Sequence, residues 1–285
     1  MGSGTAALLD LLDLEAIEVN LFRGQSPHGP VQRVFGGQVA AQALVAAGRT
    51  VEAGTVHSLH SYFLRPGDPS APILYEVDRI RDGRSFTTRR VVAIQHGRAI
   101  FNLHCSFHRG GEVGLEHQDS APAVPRPEEL TAIHLPGTDP ALPVHFRNAE
   151  GLEVRFVTEL PWVRPHLGLG GEREQLWLRF EERLPDDPLV HAAVVTFASD
   201  LTLVDTVLQR HGVNPWGEEF IGASLDHCMW FHRDFRADEW LLYDQQSPTA
   251  SGARGFALGS LYSEGGELVA SVAQEGLVRF RQTAG

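Results

Sequence analysis

The chain carries little positive charge. Its 24 Lys and Arg stand against 36 Asp and Glu, a formal net charge of −12 over 285 residues. That balance argues against a general binder of nucleic acid or of anionic membrane surfaces, which needs a basic face. Long apolar runs are missing too: none approaches the ~20 residues that span a bilayer. The opening stretch, "MGSGTAALLDLLDLEAIEVNLFRG", has acids where a secretory leader carries positive charge, so no signal peptide is expected. Cysteine is reduced to two residues, Cys105 and Cys228, in strand-like runs that form no metal-type cluster. Buried, reduced thiols and a cytoplasmic location fit that usage.

Several enzyme signatures are also missing. No G-x-S-x-G nucleophile elbow occurs, and the "GAS" at 222–224 lies in a strand-like run. "FGGQ" at 35–38 is no dinucleotide fingerprint, since G-x-G-x-x-G is absent. The chain has 14 histidines, but His57 and His60, like His227 and His232, are spaced to opposite faces of a strand. Neither a metal nor a cofactor is expected.

What remains is ordinary globular composition, 42% hydrophobic and 21% charged, with 29 Gly and 17 Pro. It suffices for one large domain or two of roughly 100–150 residues each. Leu and acid alternate at helical spacing over 8–22, which predicts a short amphipathic helix. "FGGQVAAQALVAAGRTV" predicts a second helix, whose Ala-rich surface would let another backbone pack closely. Strand-like runs follow at 56–68, 72–83, 85–97 and 98–108, with "DG" at 82–83 and "HG" at 96–97 as hairpin turns. Residues 109–150 are rich in Pro, Gly and acid and read as a linker wrapping the surface.

The second half repeats that order. Strand-like runs near 152–158 and 175–182 precede an apolar segment at 190–209. Four further runs lie at 220–235, 239–247, 253–264 and 266–278. Three anchors suggest duplication. "FGGQ" matches "FASD" at an offset of 162, His60 matches His227 at 167, and Gly97 matches Gly266 at 169. On this alignment Gln38 corresponds to Asp200, and Cys105 to Gln274. One long helix before a twisted antiparallel sheet suggests a sheet wrapped around that helix, with two copies paired edge to edge. The expected architecture is therefore α+β, a double hotdog: residues 1–108, a linker at 109–150, and residues 151–285.

Asp200, within "VVTFASDLTLV", is the residue that needs an explanation. If 190–209 is a helix, Val194, Phe197, Ala198, Leu201, Val204 and Leu208 share one half of the wheel. Asp200 falls within the extended apolar arc, opposite Ser199, Thr202, Thr206 and Gln209. The alternative is a strand with Asp200 on its wet side. On the helical reading a buried carboxylate needs hydrogen-bond donors, or its pKa rises.

Seven ordered stretches resemble the acyl-CoA thioesterase II family: "RVFGGQVAAQAL", "VHSLHSYFLRPGD", "RDGRSFTTRRVVAIQHGRAIF", "FASD", "LDHCMWFHR", "EWLLYDQQSPTASGARGF" and "LVASVAQEGLVR". The likeness spans about residues 8–280. It implies hydrolysis of acyl-CoA thioesters to free fatty acid and CoA. It also implies a water held by an aspartate, a hydroxyl and a glutamine, which match Asp200, Ser224 and Gln274. Many members carry Thr where Ser224 stands. Gly36 and Gly37 at a helix start are candidate oxyanion donors. Arg254 and the sheet arginines Arg65, Arg81, Arg84, Arg89 and Arg90 are candidates for CoA phosphates. Exposed sheet edges and the resemblance favour a homo-oligomer, dimer or tetramer. The rival readings are a hotdog acyl-CoA hydratase, which needs a His–Asp acid/base pair, and a non-catalytic acyl-CoA sensor.

Overall fold

The computed structural model describes residues 4–27, 33–131, 133–134, 149, 151–158, 172–213 and 220–281. The first helix, α1 (Gly4–Leu12), ends well before Phe22. Residues 15–24 instead form a hairpin of β1 (Glu15–Glu18) and β2 (Leu21–Gly24). The helical period was misleading because β2 pairs with a sheet edge: Phe22 faces Tyr75 and is buried, while Ile17 and Val19 stay exposed. Then come α2 (Gly36–Gly48), β3 (Thr55–Phe63), β4 (Ile73–Asp82), β5 (Phe86–Gln95) and β6 (Arg98–His108). His96 and Gly97 both have positive φ, 49° and 69°, as a two-residue hairpin turn requires.

The segment after β6 lies along the second half through backbone contacts. Gln118 Nε2 donates to Gly266 O, and Trp177 Nε1 donates to Pro125 O. It supplies the short β7 (Ile133–His134), which pairs with β8 (Leu152–Phe156). β9 (Arg173–Phe180) follows, then α3 (Pro188–Ser199) and α4 (Asp205–Gln209). The predicted helix over 190–209 is thus two helices with a break at Asp200. α3 starts at Pro188, capped by Asp187, whose carboxylate accepts the Leu189 N–H at 2.9 Å. Near its end, Thr196 and Ser199 hydroxyls bond back to the Ala192 and Thr196 carbonyls, an alternative to further helix. The face expected to be polar is buried as well: Ser199, Thr202 and Thr206 are at most 3% exposed.

The last elements are β10 (Phe220–Ser224), β11 (Asp226–Phe231), β12 (Leu241–Ser251), β13 (Arg254–Ser263) and β14 (Leu268–Phe280). The strands form one antiparallel sheet, ordered β1-β2-β4-β5-β6-β3-β11-β14-β13-β12-β9-β8-β7, with β10 also on β14. The two sheets expected from sequence are therefore continuous, joined where β3 pairs with β11, Tyr62 opposite Asp226 through Ser58 opposite Trp230. The helices α2 and α3 pack antiparallel. A Cβ on Gly37 would lie 2.6 Å from Phe197 O, and Gly48 abuts Leu189. Phe35 and Phe197 meet edge to face at 5.1 Å.

Two sequence anchors fail in this topology. Gln38 lies in the first turn of α2, whereas Asp200 caps the end of α3. The Gln38 amide bonds Gln25 O and Ser26 Oγ rather than mirroring Asp200. His60 is exposed and His227 fully buried, so they face opposite sides of the sheet and the offset of 167 is out of phase. The third anchor agrees with burial: Cys105 on β6 and Gln274 on β14 are both core-facing, at 2% and 1% exposure.

Candidate active site

Asp200 closes α3 with φ −84° and ψ −3°, so its side chain leaves the helix where the chain turns. Two strands bring donors to it. Gln274 Nε2 donates to Asp200 Oδ1 at 2.5 Å, and Ser224 Oγ donates to the same oxygen at 3.1 Å. A third donor is the Gly37 N–H, at the start of α2. The N-terminus of one helix thus faces the acid that ends the other. This places a carboxylate where the helix dipole favours negative charge.

Gln274 reaches Asp200 because β14 alternates regularly and turns it inward. Ser224 needs a device. β10 and β11 both pair with β14, Ser224 opposite Gly276 and Cys228 opposite Ala273. Four steps on one strand match three on the other, so one residue is extra: a β-bulge at Leu225. The bulge is fixed from three sides. Leu225 N–H donates to Glu275 O, Phe63 N–H donates to Leu225 O, and Asp226 Oδ1 accepts Glu275 N–H at 2.6 Å. Residues three apart on a regular strand face opposite ways. Across the bulge they face the same way: Ser224 bonds Asp200, and the His227 ring lies 2.9 Å from Ser199 Oγ.

Burial pushes the Asp200 carboxyl up to about 6. The Gln274, Ser224 and Gly37 donors and the positive charge of Arg33 pull the other way without overcoming it. Desolvation wins, but by little enough that Asp200 is ionised at pH 7. His227 is pushed down by burial to about 4 and is neutral. It reaches Ser199 rather than Asp200, so the His–Asp pair a hydratase would need is not formed there.

The other expected residues fare differently. Gly36 and Gly37 lie at the site as read, since a Cβ on Gly36 would sit 2.8 Å from Asp200 Oδ2. The Gly37 N–H, however, serves the carboxylate instead of standing free for an oxyanion. Arg254 does not touch Asp200. It pairs with Glu275 at 2.9 Å and lines an apolar cavity of about 230 Å³ with Val207, Phe220, Val278 and Phe280. Arg89 is no phosphate ligand: it is 1% exposed and bonded to Thr50 Oγ1, Thr50 O and Asp82. Sequence reasoning missed Arg33, whose guanidinium bonds Gly222 O and whose charge acts on Asp200. Its position just before "VFGG" was the available signal. Among the described residues no group of three or more His, Cys, Asp or Glu is placed to hold a metal ion, and no helix is long and apolar enough to cross a membrane.

The long antiparallel sheet carrying buried helices is of the hotdog class of fold, and at its helix break an acid, an amide and a hydroxyl meet. A hotdog-fold protein from Alicyclobacillus acidocaldarius superposes with a TM-score of 0.80 at 20% identity, covering 96% of this chain and 98% of that one, which supports the fold alone. The acyl-CoA thioesterase N-terminal domain model matches residues 25–108, and the acyl-CoA thioesterase model matches 149–277. Human acyl-coenzyme A thioesterase 8 is 40% identical over 286 residues, covering 95% of this chain and 88% of its own. The crystal structure of an acyl-CoA thioesterase II, TesB2 from Mycobacterium marinum, is 46% identical with a TM-score of 0.80, covering 96% of this chain and 98% of that one. The chain belongs to the acyl-CoA thioesterase II family.

Proposed function

We propose that the protein hydrolyses acyl-CoA thioesters to free fatty acid and CoA, with Asp200, Ser224 and Gln274 holding the attacking water. One observation carries the residue assignment. Asp200 Oδ1 receives both Gln274 Nε2 and Ser224 Oγ, while Gln274 Oε1 is buried with no partner among the described residues. A water donating to Asp200 and to Gln274 Oε1 satisfies that acceptor and aims its lone pair at the thioester carbon.

In the reaction, water oxygen bonds to the carbonyl carbon as Asp200 takes a water proton. The tetrahedral intermediate then collapses, the C–S bond breaks, and Asp200 returns its proton to the departing sulfur. The products are the acid and the CoA thiol. Raising the Asp200 carboxyl to about 6 suits it to both transfers near neutrality. Arg254, half exposed at the rim of its cavity, is the proposed contact for an anionic group of CoA. Gly36 and Gly37 give the space for substrate and acid to approach α2.

The same reading divides the chain into hotdog repeats at 1–108 and 151–285, each sheet half wrapped about its own helix, with 109–150 as linker. The family matches at 25–108 and 149–277 support it. A cytoplasmic homo-oligomer, dimer or tetramer, completes it. Exposed Tyr62, Leu64 and Trp230 beside the β3/β11 junction support association. Release of free thiol from acyl-CoAs of several chain lengths tests the activity; no release from any of them overturns it.

A further inference from the structure

Behind Asp200 lies a second set of acids that the hydrolytic steps do not use. Glu174 on β9 is 1% exposed, and neither of its carboxyl oxygens has a hydrogen-bond partner among the described residues. Asp205 opens α4 and is part-buried; its Oδ2 is buried and has no partner among the described residues. Gln245, fully buried on β12, stands opposite Glu174 in the strand register. Its Oε1 accepts from Thr202 Oγ1 at 2.9 Å, while its Nε2 has no partner among the described residues. α4 packs against β9, β12 and β13, and Thr202, which bonds Gln245, lies in the turn between Asp200 and Asp205, so these groups are gathered beneath the break that presents Asp200.

A buried carboxylate with no donor is among the costliest arrangements in a protein interior, and the neutral acid costs far less. Carboxyls confined together do not all ionise; they share protons as a unit. Burial, joined by the field of Asp205, holds the Glu174 proton well above the usual carboxylate range. Burial and the charge of Asp200 push Asp205 up to about 8.

We propose that Glu174 and Asp205 form a protonated carboxylic acid pair that positions the negative charge on Asp200. The three acids hold two protons at neutral pH, both on the rear pair, leaving Asp200 alone ionised as the base. The role acts through Asp200 and rests on the hydrolytic reading above. The surrounding groups agree with it. From β12, Tyr243 is buried, donates to Ser199 O at 3.1 Å, and is raised well above its ordinary range. From β11, His227 is neutral. From β14 comes the uncharged Gln274, and from the segment before α2 comes Arg33, the cation acting on Asp200. Asp244, also on β12, is engaged elsewhere, with Arg173 and Gln175. Arg210, at the end of α4, is exposed and bonds Ser247 O.

Ionisation of the pair puts a second negative charge beside a developing oxyanion. The parent's kcat/KM should therefore fall about tenfold through an alkaline limb near pH 8, as expected for one extra charge at this range. Asp205→Asn should keep the acid limb near 6 and lose the alkaline one. An alkaline limb identical to the parent's, or an equal loss at every pH, overturns the proposal. Infrared difference spectroscopy gives a readout independent of catalysis, and on the unmutated protein it is independent of variant folding as well. The unmutated protein at pH 7 should show buried protonated carboxyl bands. One should vanish in Glu174→Gln, another in Asp205→Asn, and both should persist in Asp200→Asn. No such bands at pH 7 in the unmutated protein would also overturn it. Bands present without thiol release would instead reject the hydrolytic reading and leave the acid pair standing.

Discussion

Gln274 and Asp200 are joined by a 2.5 Å hydrogen bond between a strand and the end of a helix, and the amide spends its donor on the carboxylate while its acceptor meets no partner among the described residues. Truncating that amide removes both functions. Gln274→Ala should lower kcat by at least tenfold and move the acid limb of kcat/KM above 6, because a lost donor destabilises the ionised base. Cys105→Ala, at the corresponding buried position of β6, should leave both nearly unchanged. Equal losses for the two variants would count against the assignment.

Asp200→Asn separates catalysis from stability. The chemical step should fall by about 10² to 10⁴, the range for a general base. Stability should move the other way. The folded carboxyl titrates near 6 and the unfolded one near 3.8, so the native state binds the proton more tightly. The parent therefore loses stability as pH rises from about 4 to 6, on the order of 3 kcal/mol at most. Thermal melts should show the Asn variant gaining on the parent at pH 7 and the gain vanishing near pH 4. Normal turnover with a lowered melting temperature would refute the role.

Ser224 asks only for a hydroxyl at a fixed place. Ser224→Thr should retain activity within a few-fold, since its Oγ1 can make the same bond to Asp200. Ser224→Ala should slow hydrolysis clearly more than Ser224→Thr, by several-fold to a hundredfold. If both variants behave alike, the hydroxyl plays no part in holding the water.

Gly37 is constrained by its neighbour on the other helix. A Cβ there would meet Phe197 O and the Phe35 ring, each at 2.6 Å, and a backbone oxygen cannot swing aside. Gly37→Ala should cost about 1–3 kcal/mol of stability by forcing α2 and α3 apart. It should also slow hydrolysis by displacing an N–H from Asp200. Chemical denaturation and steady-state kinetics on one sample check both.

Because the proposed base acts on an unbound water, hydrolysis should survive exhaustive chelation. Activity lost to EDTA and restored by a divalent ion would rule out the water-activation scheme.

The parts of this molecule written in short-range chemistry are readable in the sequence alone. The His96–Gly97 turn, the four strands after α2 and the close approach of an Ala-rich helix each follow from local residue types. Asp200, Ser224 and Gln274 were named from motif resemblance, and the fold places them in contact. The end of α3 was not readable, because apolar residues continue through Leu201 and Leu203 and both faces are buried. The bulge at Leu225 leaves no mark in composition; only pairing to β14 shows the extra residue. Glu174 shares its strand face with Leu176, Leu178 and Phe180, so alternation already points it inward; what residue order does not show is that no donor meets it there among the described residues. Gln38 aligns with Asp200 in sequence only through a shared Phe followed by two small residues, and the fold sets the two at opposite ends of their helices.

The junction of β3 and β11 bears on how this chain could be shortened. Phe63, from the first half, donates the hydrogen bond that pins Leu225, and Leu225 sets the aim of Ser224. A fragment holding only the second half would retain Asp200, Ser224 and Gln274, yet lack one of the three clamps on its bulge and the Gly37 donor. It would also expose β11 as a bare edge, a template for strand-to-strand aggregation. On the proposed reading the half that lacks the acid is an intramolecular jig for the half that has it, and the strand that helps aim the hydroxyl is the one that covers the edge of β11.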